Sequence, residues 1–221
     1  MVDMMLRFAA AAVMIAGVLQ DPTKTLPDAY KVALDNDYVR VVRVHYDAGA
    51  KLAEHTHPAG TTVYVYLNDS DGVVFKHSGD NTRTVTRPPV KAGAIRIAAG
   101  PEEHHTAENT SATSSDFLRV YFKTDDRGVR NLRQRLSPTE EFTNKQMRIT
   151  RVTVQPGEKT LIEAKDHPVL RITASRGMQQ WKTLPENFVR WLDKGTTEEF
   201  SATGEFPADI IRIDFLASPH K

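Results

Sequence analysis

Cysteine is missing from all 221 residues of the sequence. Its absence excludes disulfide bonds, thiolate metal ligands, thiol nucleophiles and a lipid-modified N-terminal cysteine. An excess of charge of one sign is also missing, because 29 basic side chains stand against 28 acidic ones. A net charge of +1 provides no general attraction for nucleic acid or for an anionic membrane surface. Any bound metal ion must therefore be held by His, Asp or Glu side chains.

Three motifs that carry common enzyme chemistries are missing as well. The sequence has no Gly-x-Ser-x-Gly elbow, no phosphate-binding Gly-x4-Gly-Lys-Ser/Thr and no Gly-x-Gly-x-x-Gly. Their absence disfavours serine-elbow acyl hydrolysis, nucleotide hydrolysis and dinucleotide chemistry. Hydrophobic residues make up 40% of the sequence and charged residues 26%, which is typical of a globular protein. The length allows one large domain or two small ones.

Long apolar runs are scarce, and the N-terminal one is short. Phe8–Leu19 is apolar and follows Arg7, but twelve residues are too few for a bilayer core that needs about 20 helical residues. The pattern predicts a signal peptide over residues 1–20 and a periplasmic or secreted protein. Asp3 and the lack of a clean Ala-x-Ala cleavage site leave open a packed N-terminal helix. An unprocessed leader would leave the protein in the cytoplasm.

Most of the remaining sequence predicts β-strands. Residues 61–67 alternate valine and tyrosine with the period of two that is typical of a strand. Similar segments at 38–44, 73–76, 94–98 and 117–122 are separated by Asn-, Asp-, Gly- and Pro-rich turns. The spacing predicts an all-β sandwich or barrel. Short helical segments are predicted at Val129–Leu136 and at Pro185–Lys194, where proline precedes and Gly195 follows the helical pattern.

Two stretches of the first half recur in the second half. Residues 40–49 align with 148–157 at an offset of 108, and residues 115–122 align with 208–215 at an offset of 93. His57–Pro58 is echoed by His167–Pro168. Matches in the same order at both ends of the unit indicate a duplication. The predicted division is a first β domain at 30–123, a linker at 124–147 and a second β domain at 148–221.

The histidines of the first half have the spacing of a metal site. His55 and His57 lie two residues apart, so that an extended strand places both side chains on one face. His105 comes from a distant strand and precedes Asn109 by four positions. Three imidazoles converging in this way would leave coordination positions open for water or substrate. We therefore predict that His55, His57 and His105 bind one divalent metal ion.

These residues resemble the two motifs of the cupin superfamily. Gly49, His55 and His57 match its Gly-x5-His-x-His element, and His105 and Asn109 match its His-x3-Asn element. Gly72 stands where a later glycine closes the first motif, and Ala98–Ala99–Gly100 replaces Pro-x-Gly. The resemblance implies a double-stranded β-helix, or jelly-roll, barrel. The repeat extends it to a bicupin of two such barrels, the second of them degenerate.

The sequence departs from the cupin pattern at the metal-binding glutamate. Thr61 and Thr62 occupy the expected positions, so the site has three neutral imidazoles and favours an anionic further ligand. The loop before His105 is two residues longer than the motif, which leaves His104 as an alternative third ligand and lets Glu103 reach the ion. The second half has only His167 in this role and is expected to bind no metal. The ion could be Fe, Mn, Zn or Ni.

Several other side chains receive structural assignments. His45 and His77 are interpreted as surface or core-edge residues, and Tyr64 and Tyr66 either line the barrel mouth or face solvent. Four residues of the second half are expected in its core or at the interface between the domains: Trp181, Phe188, Trp191 and Leu192.

Two functions remain open from the sequence. The first is a metal-dependent enzyme of dioxygenase or isomerase type that acts on a small organic molecule; the second is a non-catalytic module that binds a metal or a small ligand. A purely structural barrel is less favoured, and the residues do not decide whether the protein is an enzyme. The expected partner is a small-molecule ligand or substrate, without nucleic acid or a stable membrane span. A homodimer is left open.

Overall fold

The computed structural model describes residues 21–79, 82–124, 132–175 and 188–220. The predicted signal peptide and Trp181 lie outside these residues. No helix in these ranges is both long and apolar enough to cross a membrane. One short helix, α1 (Pro22–Thr25), precedes the strands. The strands are β1 (Tyr30–Asp35), β2 (Val39–Tyr46), β3 (Lys51–His57), β4 (Gly60–Tyr66), β5 (Val73–His77), β6 (Arg83–Thr86), β7 (Ile95–Gly100), β8 (Glu103–Asn109), β9 (Ser115–Phe122), β10 (Arg133–Leu136), β11 (Phe142–Thr143), β12 (Met147–Val154), β13 (Lys159–Glu163), β14 (Val169–Ser175), β15 (Val189–Leu192), β16 (Thr197–Ser201) and β17 (Ala208–Phe215).

The first half folds into a barrel of two antiparallel sheets. Six strands run in the order β1-β2-β9-β4-β7-β10, and four run in the order β3-β8-β5-β6. Side chains of both sheets meet in one apolar cluster, in which Val44 and Phe117 of the larger sheet join Leu52 and Phe75 of the smaller one. Burying one face of each sheet against the other is the physical reason for this closed arrangement.

The second half repeats this pairing on a smaller scale. It contains a five-stranded sheet, β11-β12-β17-β14-β15, and a two-stranded sheet, β13-β16. The duplicated segments occupy equivalent positions, because β2 pairs with β9 and β12 pairs with β17. Their register is also the same. Arg40 lies opposite Tyr121 in the first half, and the residues that align with these two in the repeat, Arg148 and Asp214, also lie opposite each other. The fold is all-β with two related sheet pairs, which confirms the predicted class.

A single hydrophobic cluster joins the six-stranded and five-stranded sheets. Val63 and Val65 of β4 belong to it, together with Ile211 and Ile213 of β17. Phe215 lies at its centre, stacked on Phe122 with 4.8 Å between ring centroids and close to Trp191 and Tyr38. The six-stranded sheet is therefore buried on both faces, by the barrel interior on one side and by the second half on the other. Trp191, Phe188 and Leu192 lie in or against the buried clusters, as expected.

Both predicted helical segments are wrong where the structure describes them. Arg133–Leu136 is strand β10 and pairs with β7, and Val189–Leu192 is strand β15 and pairs with β14. Each segment completes the hydrogen bonds of a sheet edge and buries apolar side chains there, which outweighs local helix signals. Residues 124–147 thus supply a strand to each large sheet, β10 to the first and β11 to the second. The domain limits at 123 and 148 stay predictions.

A buried carboxylate in the second half provides a stability prediction. Asp214 is 1% exposed and contacts Arg212 at 2.6 Å and Arg148 at 3.3 Å. Burial raises the pKa of Asp214, but the hydrogen bonds from Arg212 and Arg148 outweigh it and hold the pKa below its usual value. Because the folded-state pKa is lowered, the stabilisation is complete above pH of about 4 and is lost as the pH falls through the folded-state value.

We expect Asp214→Asn to lower the free energy of unfolding at pH 7 by about 1–3 kcal/mol, since it leaves two guanidinium groups without their charged partner. The difference from wild type should persist from pH 7 to 5 and shrink below pH of about 4. Urea unfolding across this range measures it, with the exposed Asp37→Asn as the matched control. A difference that stays constant down to pH 2 would contradict the assignment.

Candidate metal centre

The four-stranded sheet brings the three predicted metal ligands together inside the first barrel. His55 of β3 lies opposite His105 of β8, and His57 follows two residues later on the same face. Their ring centroids are 4.8 to 5.0 Å apart. One potential ligand atom from each lies within 4.8 Å of the others, and all three side chains are buried. Within the described ranges, this is the only converging group of three or more metal-ligating side chains.

Hydrogen bonds orient two of these imidazoles: they engage both ring nitrogens of His55 and one ring nitrogen of His57. His55 Nδ1 donates to the carbonyl oxygen of Ala53 at 2.8 Å, so Nε2 carries the lone pair and accepts from the Tyr30 hydroxyl at 2.8 Å. His57 Nδ1 contacts the Tyr121 hydroxyl at 2.8 Å. Such outer contacts fix the tautomer and the ring orientation of metal-ligating histidines.

The donor atoms of the cluster fit a divalent ion. His57 Nε2 and both ring nitrogens of His105 are buried and have no hydrogen-bond partner among the described residues. A buried polar atom without a partner costs about 1–3 kcal/mol, so native proteins seldom retain three of them at one point. A metal ion at the centre of the cluster would satisfy one nitrogen each of His57 and His105 and would bind His55 Nε2 in place of the Tyr30 hydroxyl. Imidazole suits Fe, Ni and Zn.

The environment of the cluster keeps the imidazoles neutral, which is the form that binds metal. Burial lowers the pKa of His55. Burial, followed by the positive charge of Arg119, lowers the pKa of His57 well below its usual value. The same two causes, in that order, lower the pKa of His105 to about 2.

The alternative ligands considered from the sequence lie outside the converging group. His104 points to the opposite face of β8, where its ring contacts the Thr56 hydroxyl at 2.9 Å and the Glu102 carboxylate at 2.9 Å. Glu103 is on the same face as His105, but Arg119 Nη2 lies 3.4 Å from its carboxylate. Burial raises the pKa of Glu103, and the charges of Arg119, Arg96 and Arg87 outweigh burial and lower it.

Asn109 of the second motif and His77 lie beside the histidine cluster. Asn109 is fully buried, and its amide nitrogen donates to the carbonyl oxygens of Asp47 and Thr113, both at 2.9 Å. Asn109 therefore stabilises the turns beside the histidine cluster.

Of the two positions considered for His77, the surface and the core edge, the structure excludes the surface: His77 is 7% exposed, lies opposite His105, and its ring centroid is 5.1 Å from that of His105. The alternation of Val73, Phe75 and His77 was the available signal, because the first two face the core.

Sequence reasoning missed three residues around the cluster: Tyr30, Arg119 and Tyr121. Tyr30 packs against His55 and His57 with centroid distances of 5.1 and 5.7 Å. Arg119 and Tyr121 lie on β9 and face the barrel interior, where Arg119 Nη2 donates to the Tyr64 hydroxyl at 3.0 Å. Polar side chains at alternate positions of an otherwise apolar strand are the signal that could have indicated them.

Two cavities flank the interior of the first barrel and share Tyr64, Glu103 and Arg119. The smaller encloses about 20 Å³, opens at the surface and is lined by His105 and by aromatic side chains such as Phe75 and Phe117. The larger holds about 380 Å³ and is lined by polar residues that include His77. Tyr64 and Tyr66 are both buried and line the smaller cavity, which decides between the two positions left open for them.

Solved structures share this architecture. AerE from Microcystis aeruginosa is 10% identical, with 85% of this chain and 91% of that chain covered and a TM-score of 0.50. A bacterial pirin, YhhW from Escherichia coli, solved in complex with nickel(II), is 13% identical, with 81% and 82% covered and a TM-score of 0.51. No protein-family profile and no curated protein sequence matches this chain.

These likenesses define the class of fold. The chain has a fold of the double-stranded β-helix, or cupin, type, and its two related sheet pairs are arranged as in the Escherichia coli pirin. The identities are low, so the likeness concerns the fold, while the site is characterised by the chain's own residues.

Proposed function

We propose that this protein is a metal-dependent cupin enzyme whose first barrel binds one divalent ion through His55, His57 and His105. The observation that carries the proposal is the convergence of three buried imidazoles whose nitrogen atoms, at His57 and His105, have no partner among the described residues. The nickel(II) named for the Escherichia coli pirin supports a metal in a barrel of this kind.

The residues around the cluster prepare it for chemistry on a small organic molecule of dioxygenase or isomerase type. A bound ion would supply Lewis acidity or, if it is iron, access to dioxygen. Ala53 and Tyr121 orient two imidazoles, and all three rings are buried. The Tyr30 hydroxyl hydrogen-bonds His55 Nε2 and would yield that nitrogen to the ion. The converging group contains no carboxylate, so the positive charge of the ion would remain available to an anionic ligand.

Metal analysis tests the proposal directly. The protein is purified without added metal, loaded with a divalent ion and desalted. We expect the wild type to retain about one ion per chain and the His55→Ala/His57→Ala variant to retain about one tenth of that amount or less. His167→Ala, which removes a partly exposed histidine of the second half, is the matched control and should bind metal like wild type. Elemental analysis by inductively coupled plasma mass spectrometry measures the bound metal per chain.

The outcome that would reject the metal site is a folded double variant with a full ion per chain. Far-UV circular dichroism establishes that the variant is folded. Oxygen consumption and product analysis on the metal-loaded protein then test catalysis, and a protein that binds metal but converts none of a broad panel of organic acids and phenols would favour the non-catalytic module.

A further inference from the structure

Three arginines surround the small cavity beside His105. Arg87, Arg96 and Arg119 all line it, together with two carboxylates, those of Glu103 and the exposed Asp71. The metal proposal makes no use of these arginines. Their concentration on one side of the histidine cluster requires a separate explanation, because long charged side chains are rarely drawn into a barrel interior without a partner.

The guanidinium groups are only partly satisfied by the protein. Arg119 is 3% exposed; its Nη2 donates to Tyr64 and approaches Glu103 at 3.4 Å, while its Nε has no partner among the described residues. Arg96 is 8% exposed and stacks on the Tyr64 ring at 4.4 Å. Arg87 lies over the Phe75 ring at 5.0 Å.

Aromatic faces are the partners that Arg87 and Arg96 have. In the described part of the structure, neither guanidinium forms an ion pair with a carboxylate. Stacking on a ring compensates a cation weakly, by about 0.5–2 kcal/mol, and leaves the N–H donors at the edge of the guanidinium available. Among the described residues, Glu103 is the one carboxylate that forms an ion pair with an arginine of this group, and with the exposed Asp71 the lining has three positive charges against two negative ones.

From this geometry we propose that the cavity binds a small carboxylate anion, which is the substrate class of the enzyme proposed above. This inference rests on the proposed function, because it places the anion beside the metal ligand His105. The planar guanidinium group matches a carboxylate with two parallel hydrogen bonds. A cavity of about 20 Å³ restricts the enclosed part to a small head group.

Calorimetric titration of the metal-loaded protein with sodium propionate tests this inference, and propionamide serves as a neutral probe of nearly the same shape. At constant ionic strength we expect propionate to bind at least about tenfold more tightly than propionamide. Arg96→Met and Arg87→Met should each weaken propionate binding by about tenfold or more, because each removes charge-assisted hydrogen bonds. Arg83→Met, an exposed position of β6 that does not line this cavity, should bind like wild type.

Two results would overturn the assignment: equal binding of propionate and propionamide, or propionate affinity that both arginine variants retain in full. Should Arg96→Met fail to fold, Arg87→Met and Arg96→Lys carry the test. Affinity should be lost in the first and reduced in the second, because lysine keeps the charge but not the two parallel hydrogen bonds. Metal content, measured for every sample, separates this inference from the metal proposal. Protein with one ion but no preference for propionate rejects the anion site alone, while protein without metal that binds propionate through the arginines rejects the metal site alone.

Discussion

Removing the metal ion is expected to accelerate amide hydrogen exchange about a hundredfold in β3 and β8, while β12 and β17 change little. A ligand that binds only the folded state stabilises it by RT ln(1 + [L]/Kd), which is about 2.7 kcal/mol at a hundredfold excess over Kd. His55, His57 and His105 all lie in the four-stranded sheet, so the lost free energy falls on the strands of that sheet first.

The packing of the sheets explains why the effect should be confined. The cluster that joins the two halves draws on the six-stranded and five-stranded sheets and contains no residue of β3, β5, β6 or β8. The four-stranded sheet can therefore open without disturbing the contact between the halves. Local openings of this kind set exchange rates below the global limit.

Exchange measured by mass spectrometry with and without chelator, segment by segment, checks this expectation. The His55→Ala/His57→Ala variant is the control, and chelator should leave its exchange unchanged. Equal acceleration in both halves would show one cooperative unit. Greater acceleration around His167 would place the metal in the second half and refute the assignment.

Phe215→Ala is expected to lower the free energy of unfolding by about 3–5 kcal/mol, the cost typical of removing a fully buried aromatic side chain. Phe215 is 1% exposed and contacts Phe122, Tyr38 and Trp191, so its ring connects the two halves. The cavity left behind would border both large sheets. We therefore expect the loss of stability to affect both halves together.

Urea unfolding followed by tryptophan fluorescence and by far-UV circular dichroism provides the test, since Trp191 packs on the Phe215 ring. Phe206→Ala makes the same chemical change at a side chain that is 64% exposed, and it should cost less than about 0.5 kcal/mol. Equal effects of the two substitutions would contradict a central role for Phe215. Two separate transitions in wild type would show that the halves unfold independently.

The histidine cluster was predictable because it depends on local periodicity. Side chains two residues apart on a strand share a face whatever lies around them, which places His55 beside His57. The same rule separates His104 from His105, and in the structure only His105 faces the cluster. The duplication was predictable for a similar reason, since β2 with β9 and β12 with β17 preserve one register.

The positions of Tyr64 and Tyr66 could not be derived in this way. Alternation along β4 separates Val63 and Val65 from Tyr64 and Tyr66, but it does not tell which face is buried. Both faces of β4 are buried, because the second half covers the valines and the interior of the first barrel encloses the tyrosines. Burial of the valine face depends on the five-stranded sheet, whose strand β12 (Met147–Val154) begins more than eighty residues after β4 in the sequence.

The sequence by itself determined the fold class, the repeat and the set of three histidines, since each follows from patterns with a period of two or from spacing within a motif. Tertiary structure alone decided that residues 133–136 and 189–192 are strands, because the open edges of two sheets offer them hydrogen bonds that an isolated segment lacks. It also decided the gathering of Arg87, Arg96 and Arg119 beside His105. Those side chains come from three separate parts of the chain, and only closure of the barrel brings their charges to one cavity.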